Sequence, residues 1–110
     1  MNVLELYLKS RLDLDAMAAK VAWALGASFE RRSGINRGGT YYECRAFGMT
    51  LELLSNAGEV AIRERSEWPF YLLVHCDVYP ISAMALQFVT EHLRTVLVSR
   101  EITAEVDALS

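Results

Sequence analysis

The 110-residue sequence has neither a long hydrophobic run nor a basic segment ahead of an apolar one. A helix that crosses a bilayer needs roughly 20 consecutive apolar residues, and a secretion signal begins with positive charge. Residues 1–8 instead alternate between apolar and polar side chains and already include Glu5. We therefore expect a cytoplasmic protein that has no membrane partner.

An excess of basic residues is also missing. Lysine and arginine total 11 against 14 aspartates and glutamates, which gives a formal net charge of −3. Proteins whose main partner is a nucleic acid bind its phosphates through clustered Lys and Arg side chains. The composition therefore argues against nucleic acid and favours a cationic protein as the partner.

Cysteine and histidine are scarce, with two residues of each type. Cys44 and Cys76 both fall at apolar positions of predicted strands, so buried thiols are the expected state in a reducing compartment. A disulfide between neighbouring strands is the alternative. His92 has Phe88 and Val96 at the helical i ± 4 spacing, which excludes the paired-ligand zinc motif on that helix.

Signatures of catalysis are missing as well. The sequence has no Gly-x-Ser-x-Gly nucleophile elbow, and we expect neither a cofactor nor a metal. Three reactive residue types are adjacent at His75-Cys76-Asp77, but strand alternation places Cys76 on the opposite face from the other two. A small enzyme that uses His75 and Asp77 is therefore an alternative, while the sequence favours a protein that is not an enzyme.

The clearest pattern that is present spans Thr40 to Leu54, where two alternating runs meet at Gly48. A period of two with apolar residues on one side predicts two half-buried strands joined as a hairpin. The other side is expected to face water and to carry surface ion pairs. The core side should hold Tyr42, Cys44, Ala46, Met49, Leu51 and Leu53, and the water side should hold Glu43, Arg45, Thr50 and Glu52.

Similar patterns predict the rest of the chain. Residues 59–68 fit either a polar edge strand or an ordered loop, and residues 102–106 fit either a last edge strand or part of a flexible acidic tail over 100–110. Asp, Ser and Gly residues mark the helix ends. The other predicted elements are a strand over 1–10, a helix over 14–25 capped by Asp13 or Asp15 and by Gly26, a short strand over 28–32, a strand over 69–78 and a helix over 82–98 that begins at Ser82.

This order of elements predicts a single α+β domain over residues 1–110. The strands follow one another without crossover helices, so the sheet should be mainly antiparallel, with four to six strands and two helices packed on one face. Leu4, Leu6 and Leu8 of the first strand should point into the core.

Aromatic and acidic side chains gather in the second half of the chain. Trp68, Tyr71 and Tyr79 lie near several carboxylates, and aromatic residues with a charged rim anchor many protein interfaces. We expect these aromatic side chains to be exposed. The alternative is that Trp68, next to Pro69, closes the core.

The order of several short motifs carries a resemblance. The motifs are a glycine-rich turn before Tyr41-Tyr42, the hairpin from Phe47 to Leu54, Asn56-Ala57-Gly58, the segment Trp68-Pro69-Phe70-Tyr71-Leu72 and a long final helix. Together they resemble small immunity proteins of bacterial polymorphic toxin systems, with contact-dependent growth inhibition immunity proteins as the nearest group. The resemblance implies a cytoplasmic inhibitor that binds a cognate toxin domain, often a nuclease, and covers its active site.

Our hypothesis assigns partner binding to acidic residues and two aromatic anchors, because a basic toxin surface would be attracted to carboxylates. The alternative is a non-catalytic ligand-binding or dimeric regulatory module, which predicts a concave apolar pocket. We expect a monomer or a weak homodimer. The residues assigned to partner binding are Glu52, Glu59, Glu64, Glu67, Trp68, Tyr71 and Asp77.

Overall fold

The computed structural model describes residues 3–46, 48–77 and 82–107. Within these ranges the chain forms six strands and two α-helices, together with three short 3₁₀ turns over Ile35–Arg37, Gly58–Val60 and Arg63–Arg65. The strands and helices are β1 (Val3–Lys9), α1 (Leu14–Leu25), β2 (Glu30–Gly34), β3 (Gly39–Ala46), β4 (Met49–Ser55), β5 (Phe70–Cys76), α2 (Ala83–Ser99) and β6 (Thr103–Val106).

The strands of the described ranges form one antiparallel sheet in the order β2-β3-β4-β5-β1-β6. Strands β2 to β5 are neighbours in sequence order, and β1 lies between β5 and β6. This architecture confirms the predicted α+β class. It also shows that residues 103–106 form an edge strand and not a tail.

Both helices begin and end close to the predicted residues. The Asp13 carboxylate accepts a hydrogen bond from the Ala16 backbone N–H at 2.8 Å, and the Ser82 hydroxyl oxygen accepts one from Ala85 at 3.0 Å. Gly26 ends α1 in the left-handed conformation with φ of 66°, which a residue without a side chain adopts readily. Of the two predicted caps for α1, Asp13 is the one that the structure uses.

The main core lies between the sheet and the two helices. Alternate residues of β1, β4 and β5 point toward the helices, and α1 and α2 pack against them on the same face, as predicted. We name this face the helix face. Its buried side chains include those of Leu4, Leu6, Leu8, Met17, Val21, Leu51, Leu53, Leu72, Val74, Leu86 and Leu97.

A second, smaller core covers part of the opposite face, which we name the loop face. Tyr7, Leu54 and Tyr71 are buried there beneath the segment that joins β4 to β5, together with Trp68 of that segment. Trp68 and Tyr71 are only 7% and 4% exposed, so the predicted exposure of these two aromatic side chains is wrong, and the alternative that Trp68 closes a core is confirmed. Tyr79 lies outside the described residues.

Two further predictions concern cysteines and membrane helices. Cys44 and Cys76 are both buried and no disulfide joins them, which confirms the expected thiols. Burial raises the pKa of the Cys44 thiol above its ordinary value. In the part of the chain that the structure describes, neither helix has the length and apolar character required to cross a bilayer.

Candidate binding surface

The segment from Asn56 to Pro69, which we name the covering loop, folds back over the loop face as an ordered loop. The Asn56 side chain fixes it: the amide N–H groups donate to the backbone oxygens of Arg65 at 2.9 Å and Trp68 at 2.8 Å, and its oxygen accepts from the Ile62 N–H at 2.6 Å. Its backbone N–H also donates to the Pro69 oxygen at 2.8 Å. This half-buried amide therefore joins three points of a loop that contains no strand.

Aromatic side chains support the covering loop from below. The Tyr71 hydroxyl donates to the backbone oxygen of Val60 at 2.7 Å. The Tyr7 ring centroid lies 6.4 Å from those of Trp68 and Tyr71, within the range of favourable aromatic pairs. The Lys9 ammonium lies 4.6 Å from the Trp68 ring centroid. These aromatic residues stabilise the loop from within the fold and are not available as exposed anchors.

Arg65 joins the covering loop to the far edge of the sheet. Its guanidinium contacts Asp107 at 2.8 Å and Glu105 at 3.4 Å, and it lies 4.9 Å from the Tyr7 ring centroid. The pKa of the Glu5 carboxyl at this edge is raised above its ordinary value of 4.5. The main cause is burial, which disfavours the charged form, and the second is repulsion by the negative charge of Asp107. Arg65 therefore partly neutralises a cluster of three carboxylates at this edge, which are those of Glu5, Glu105 and Asp107.

Three acidic side chains of the covering loop point into solvent. Glu59, Glu64 and Glu67 are all exposed. Arg63 and Arg65 lie between them in the sequence, and Arg65 forms an ion pair with Asp107. Small or rigid exposed residues lie between and beside them, namely Ala57, Ala61 and Pro69. The loop thus presents carboxylates from a backbone that is fixed before any partner binds.

The part of the loop face beyond the covering loop carries a buried charge network. Glu52, whose side chain is 6% exposed, binds the Arg37 guanidinium through contacts of 2.7 and 3.3 Å. His75 Nε2 lies 2.6 Å from Glu52 Oε1, a close ion-pair distance without the alignment of a hydrogen bond. Arg37 arrives from the turn before β3, so the ion pair fixes that turn against the sheet.

His75 and Asp77 have different neighbours, although both follow the predicted alternation away from Cys76. The Thr50 hydroxyl donates to Asp77 at 2.6 Å, whereas His75 contacts Glu52. A proton relay between His75 and Asp77 would require these contacts to change. The structure therefore supplies a His75–Glu52 pair where the sequence suggested a His75–Asp77 pair.

A row of carboxylates crosses three neighbouring strands at this end of the sheet. Glu30 is opposite Glu43 in the strand register, and Glu43 is opposite Glu52. Like charges that face each other across strands are destabilising. Arginines offset the repulsion: Arg32 contacts Glu30 at 2.9 Å and Arg45 contacts Glu43 at 3.2 Å.

The seven residues assigned to partner binding fall into three groups. Tyr71 is buried under the covering loop, Trp68 is the buried residue of that loop, and Glu52 is buried and paired. Asp77 is exposed at the end of β5 opposite to the covering loop. The remaining three, Glu59, Glu64 and Glu67, are exposed and belong to the covering loop.

Two residues that organise this surface were not predicted. Asn56 resembles an ordinary turn residue in the sequence, and its bonding partners are 9 and 12 positions away. Arg37 resembles a solvated loop arginine, and its carboxylate partner is 15 positions away. The sequence contained one signal for the Arg37–Glu52 pair. Glu52 lies between two leucines in a predicted strand, and an acidic residue that is buried there requires a cationic or hydrogen-bonding partner.

The helix face contains a separate feature, an apolar cavity of about 620 Å³ beneath the end of α1. The cavity lining within the described residues comprises Leu25, Gly26, Ala27, Ser28, Cys44, Arg45, Ala46, Met49, Leu51, Val89 and Leu93.

Among the described residues, no group of three or more His, Cys, Asp or Glu side chains has a geometry that could hold a metal ion.

Comparison with known proteins gives no relative for this chain. A scan against protein-family models finds no match, and a search of curated proteins finds no significant similarity.

Proposed function

We propose that this chain is an immunity-type inhibitor that binds a cognate cationic toxin domain, such as a nuclease, through the covering loop. The supporting observation is the combination of a loop fixed by Asn56 with three exposed carboxylates, Glu59, Glu64 and Glu67. A basic partner would be attracted to these carboxylates over a distance and then oriented by them. Binding would cover the toxin's active site and neutralise it.

Rigidity of the loop supports binding more than catalysis. A binding loop that is already ordered loses little conformational entropy when the partner arrives, so more of the contact energy appears as affinity. Trp68 and Tyr71 supply this rigidity from below, through packing and the bond from Tyr71 to Val60. Their proposed role is therefore to position the loop, whereas the carboxylates contact the partner.

Glu52 and Asp77 are outside the proposed contact surface. The charge of Glu52 is compensated by Arg37, and its side chain is buried. Asp77 accepts a hydrogen bond from Thr50 at the other end of β5. The proposed surface is therefore the covering loop alone.

The test is to sequence the neighbouring genes and to measure binding of this protein to the C-terminal domain of any large toxin that one of them encodes. The double variant Glu64→Lys/Glu67→Lys should bind that domain at least about tenfold more weakly, which corresponds to about 1.4 kcal/mol. It should also no longer protect cells that express the toxin. The matched control is Glu30→Lys/Glu91→Lys, which makes the same change in net charge at exposed positions away from the loop.

Affinity should be measured at several salt concentrations, because screening weakens attraction between exposed charges. The wild type should lose affinity as salt rises, and the loop variant should lose less. Equal effects of the two double variants would refute the loop as the contact surface. Failure of the wild type to bind or neutralise the neighbouring toxin domain would refute the function.

A further inference from the structure

The apolar cavity lies on the helix face, in the opposite layer from the covering loop. Its walls come from the C-terminal end of α1, from Val89 and Leu93 of α2, and from β3 and β4. Gly26 ends α1 with left-handed backbone, so the helix stops before it covers this part of the sheet. The cavity is the space left between the end of one helix and the side of the other.

The lining of the cavity is dominated by hydrocarbon and sulfur atoms. Leu25, Met49 and Leu93 are partly buried side chains that pack against the main core, and all three are left incompletely covered at this one place. Cys44 and Leu51 form part of the sheet wall. A methionine in such a wall adapts its shape to different occupants, because its side chain is unbranched and polarizable.

The volume of the cavity corresponds to a small molecule. Ligand pockets in proteins typically occupy about 300–1,000 Å³ and have mostly apolar walls, and the cavity measures about 620 Å³. The space is open to solvent on one side, and its mostly apolar walls give water few hydrogen-bond partners. An apolar occupant would cover the side chains that the helices leave exposed.

We propose that this cavity binds a small uncharged molecule that is predominantly hydrocarbon, of the size of about two or three aromatic rings. The occupant would contact Leu25 of α1 and Leu93 of α2 on one side and Met49 of β4 on the other. The inference concerns a second site and does not depend on the proposed inhibitor function. Loss of toxin binding and loss of ligand binding can therefore be told apart.

The first experiment is a fluorescence titration of the full chain with N-phenyl-1-naphthylamine, an uncharged apolar probe. We expect saturable binding with one probe per chain. Val89→Trp places a larger side chain in the cavity and should weaken binding at least about tenfold, or about 1.4 kcal/mol. Val98→Trp is the matched control, because Val98 lies on the same helix, is 46% exposed and does not line the cavity.

The second experiment uses the wild-type protein and so does not depend on the folding of a variant. Cys44 lines the cavity, whereas Cys76, which is equally buried, is not among the lining residues. Iodoacetamide should alkylate Cys44 more slowly when the probe is present, with a smaller change at Cys76, as measured by mass spectrometry of the digested protein. Thermal unfolding of each variant establishes whether it is folded.

Selective protection of Cys44, together with weaker probe binding in Val89→Trp than in Val98→Trp, would support the site. Absence of saturable binding would overturn it. Equal loss of binding in the two tryptophan variants, or equal protection of both cysteines, would show adsorption to the surface or general stabilisation and would also overturn it. If Val89→Trp does not fold, the alkylation result decides.

Discussion

The two faces of the sheet are covered by different physical means. On the helix face, two α-helices bury leucines from β1, β4 and β5 in a continuous apolar core. On the loop face, the covering loop buries Tyr7, Leu54, Trp68 and Tyr71, and it is fixed by hydrogen bonds from a single asparagine. The first cover depends on apolar area, and the second depends on a few directional contacts.

This difference gives the two faces different roles, one in the stability of the fold and the other in the positioning of exposed side chains. Apolar burial tolerates changes in shape but defines no exposed geometry, whereas a satisfied polar network fixes the positions of the atoms around it. The helix face therefore supplies most of the free energy of folding. The loop face fixes the positions from which Glu59, Glu64 and Glu67 extend into solvent.

The largest expected effect compares neighbouring residues on opposite faces of β5. Leu72 is fully buried on the helix face, and Leu73 is partly buried on the loop face. Leu72→Ala should lower the free energy of unfolding by about 3–4 kcal/mol, through lost burial and the cavity left behind. Leu73→Ala should cost about 1 kcal/mol. Urea denaturation measures both, and equal losses would contradict the proposed division between the faces.

The next effect concerns the buried charge on the loop face. Arg37→Ala leaves Glu52 without its guanidinium partner and should destabilise the protein by about 2–3 kcal/mol, since an uncompensated buried charge is costly. Adding Glu52→Gln should recover part of the loss by removing that charge. Arg32→Ala is the control, because its closer partner Glu30 is exposed and its second partner Glu43, 3.7 Å away, keeps Arg45, and exposed pairs contribute about 0–1 kcal/mol. A double variant no more stable than Arg37→Ala would exclude this explanation.

Asn56→Ala should loosen the covering loop while leaving the helix face intact. The substitution removes three side-chain hydrogen bonds and should cost about 2 kcal/mol. Amide hydrogen exchange should accelerate over residues 57–68, while strands β1 and β5 remain protected. Asn36→Ala, at an exposed position, is the control. Uniform acceleration across the sheet would show that the loop is not a separate unit.

The smallest expected effect is a pH dependence at Glu5. Burial and Asp107 raise the pKa of this carboxyl in the folded protein, so the folded state binds a proton more readily than the unfolded chain. The charged form is therefore unfavourable at neutral pH, and the penalty disappears as the pH falls through the raised value toward 4.5. At neutral pH Glu5→Gln should be up to about 1 kcal/mol more stable than the wild type.

That difference should narrow on acidification, as measured by urea denaturation at a series of pH values. Glu59→Gln, at an exposed position, provides the comparison. A gap between wild type and Glu5→Gln that widens as the pH falls would have the wrong sign and would exclude the assignment.

The helix face was predictable because its determinants are local. Alternation in the hairpin placed Cys44, Leu51 and Leu53 correctly, and Asp13 and Gly26 marked the ends of α1. Such signals depend on residues one to four positions apart. The α+β class, the antiparallel sheet and the placement of both helices on one face followed from them.

The loop face was not predictable in the same way. Trp68 and Tyr71 resemble interface residues in the sequence, but hydrogen bonds from Asn56 and Tyr71 hold the covering loop against the sheet, with Trp68 turned inward and Tyr71 beneath the loop. Glu52 was expected in water, but Arg37 and His75 make its burial possible. Each outcome depends on partners many positions away, so only Glu59, Glu64 and Glu67 remain as exposed acidic neighbours.

The contact between the β2–β3 turn and the covering loop also constrains how this protein can diverge. Gly38 has φ of +76°, and a Cβ atom there would lie 2.8 Å from Cγ2 of Val60. A side chain at position 38 would therefore require both a strained backbone and a smaller residue at position 60. Homologues with a side chain at position 38 should therefore have a residue smaller than valine at position 60, whereas a smaller residue at position 60 leaves glycine at position 38 free to remain. The covering loop is thus expected to evolve together with the turn that carries Arg37.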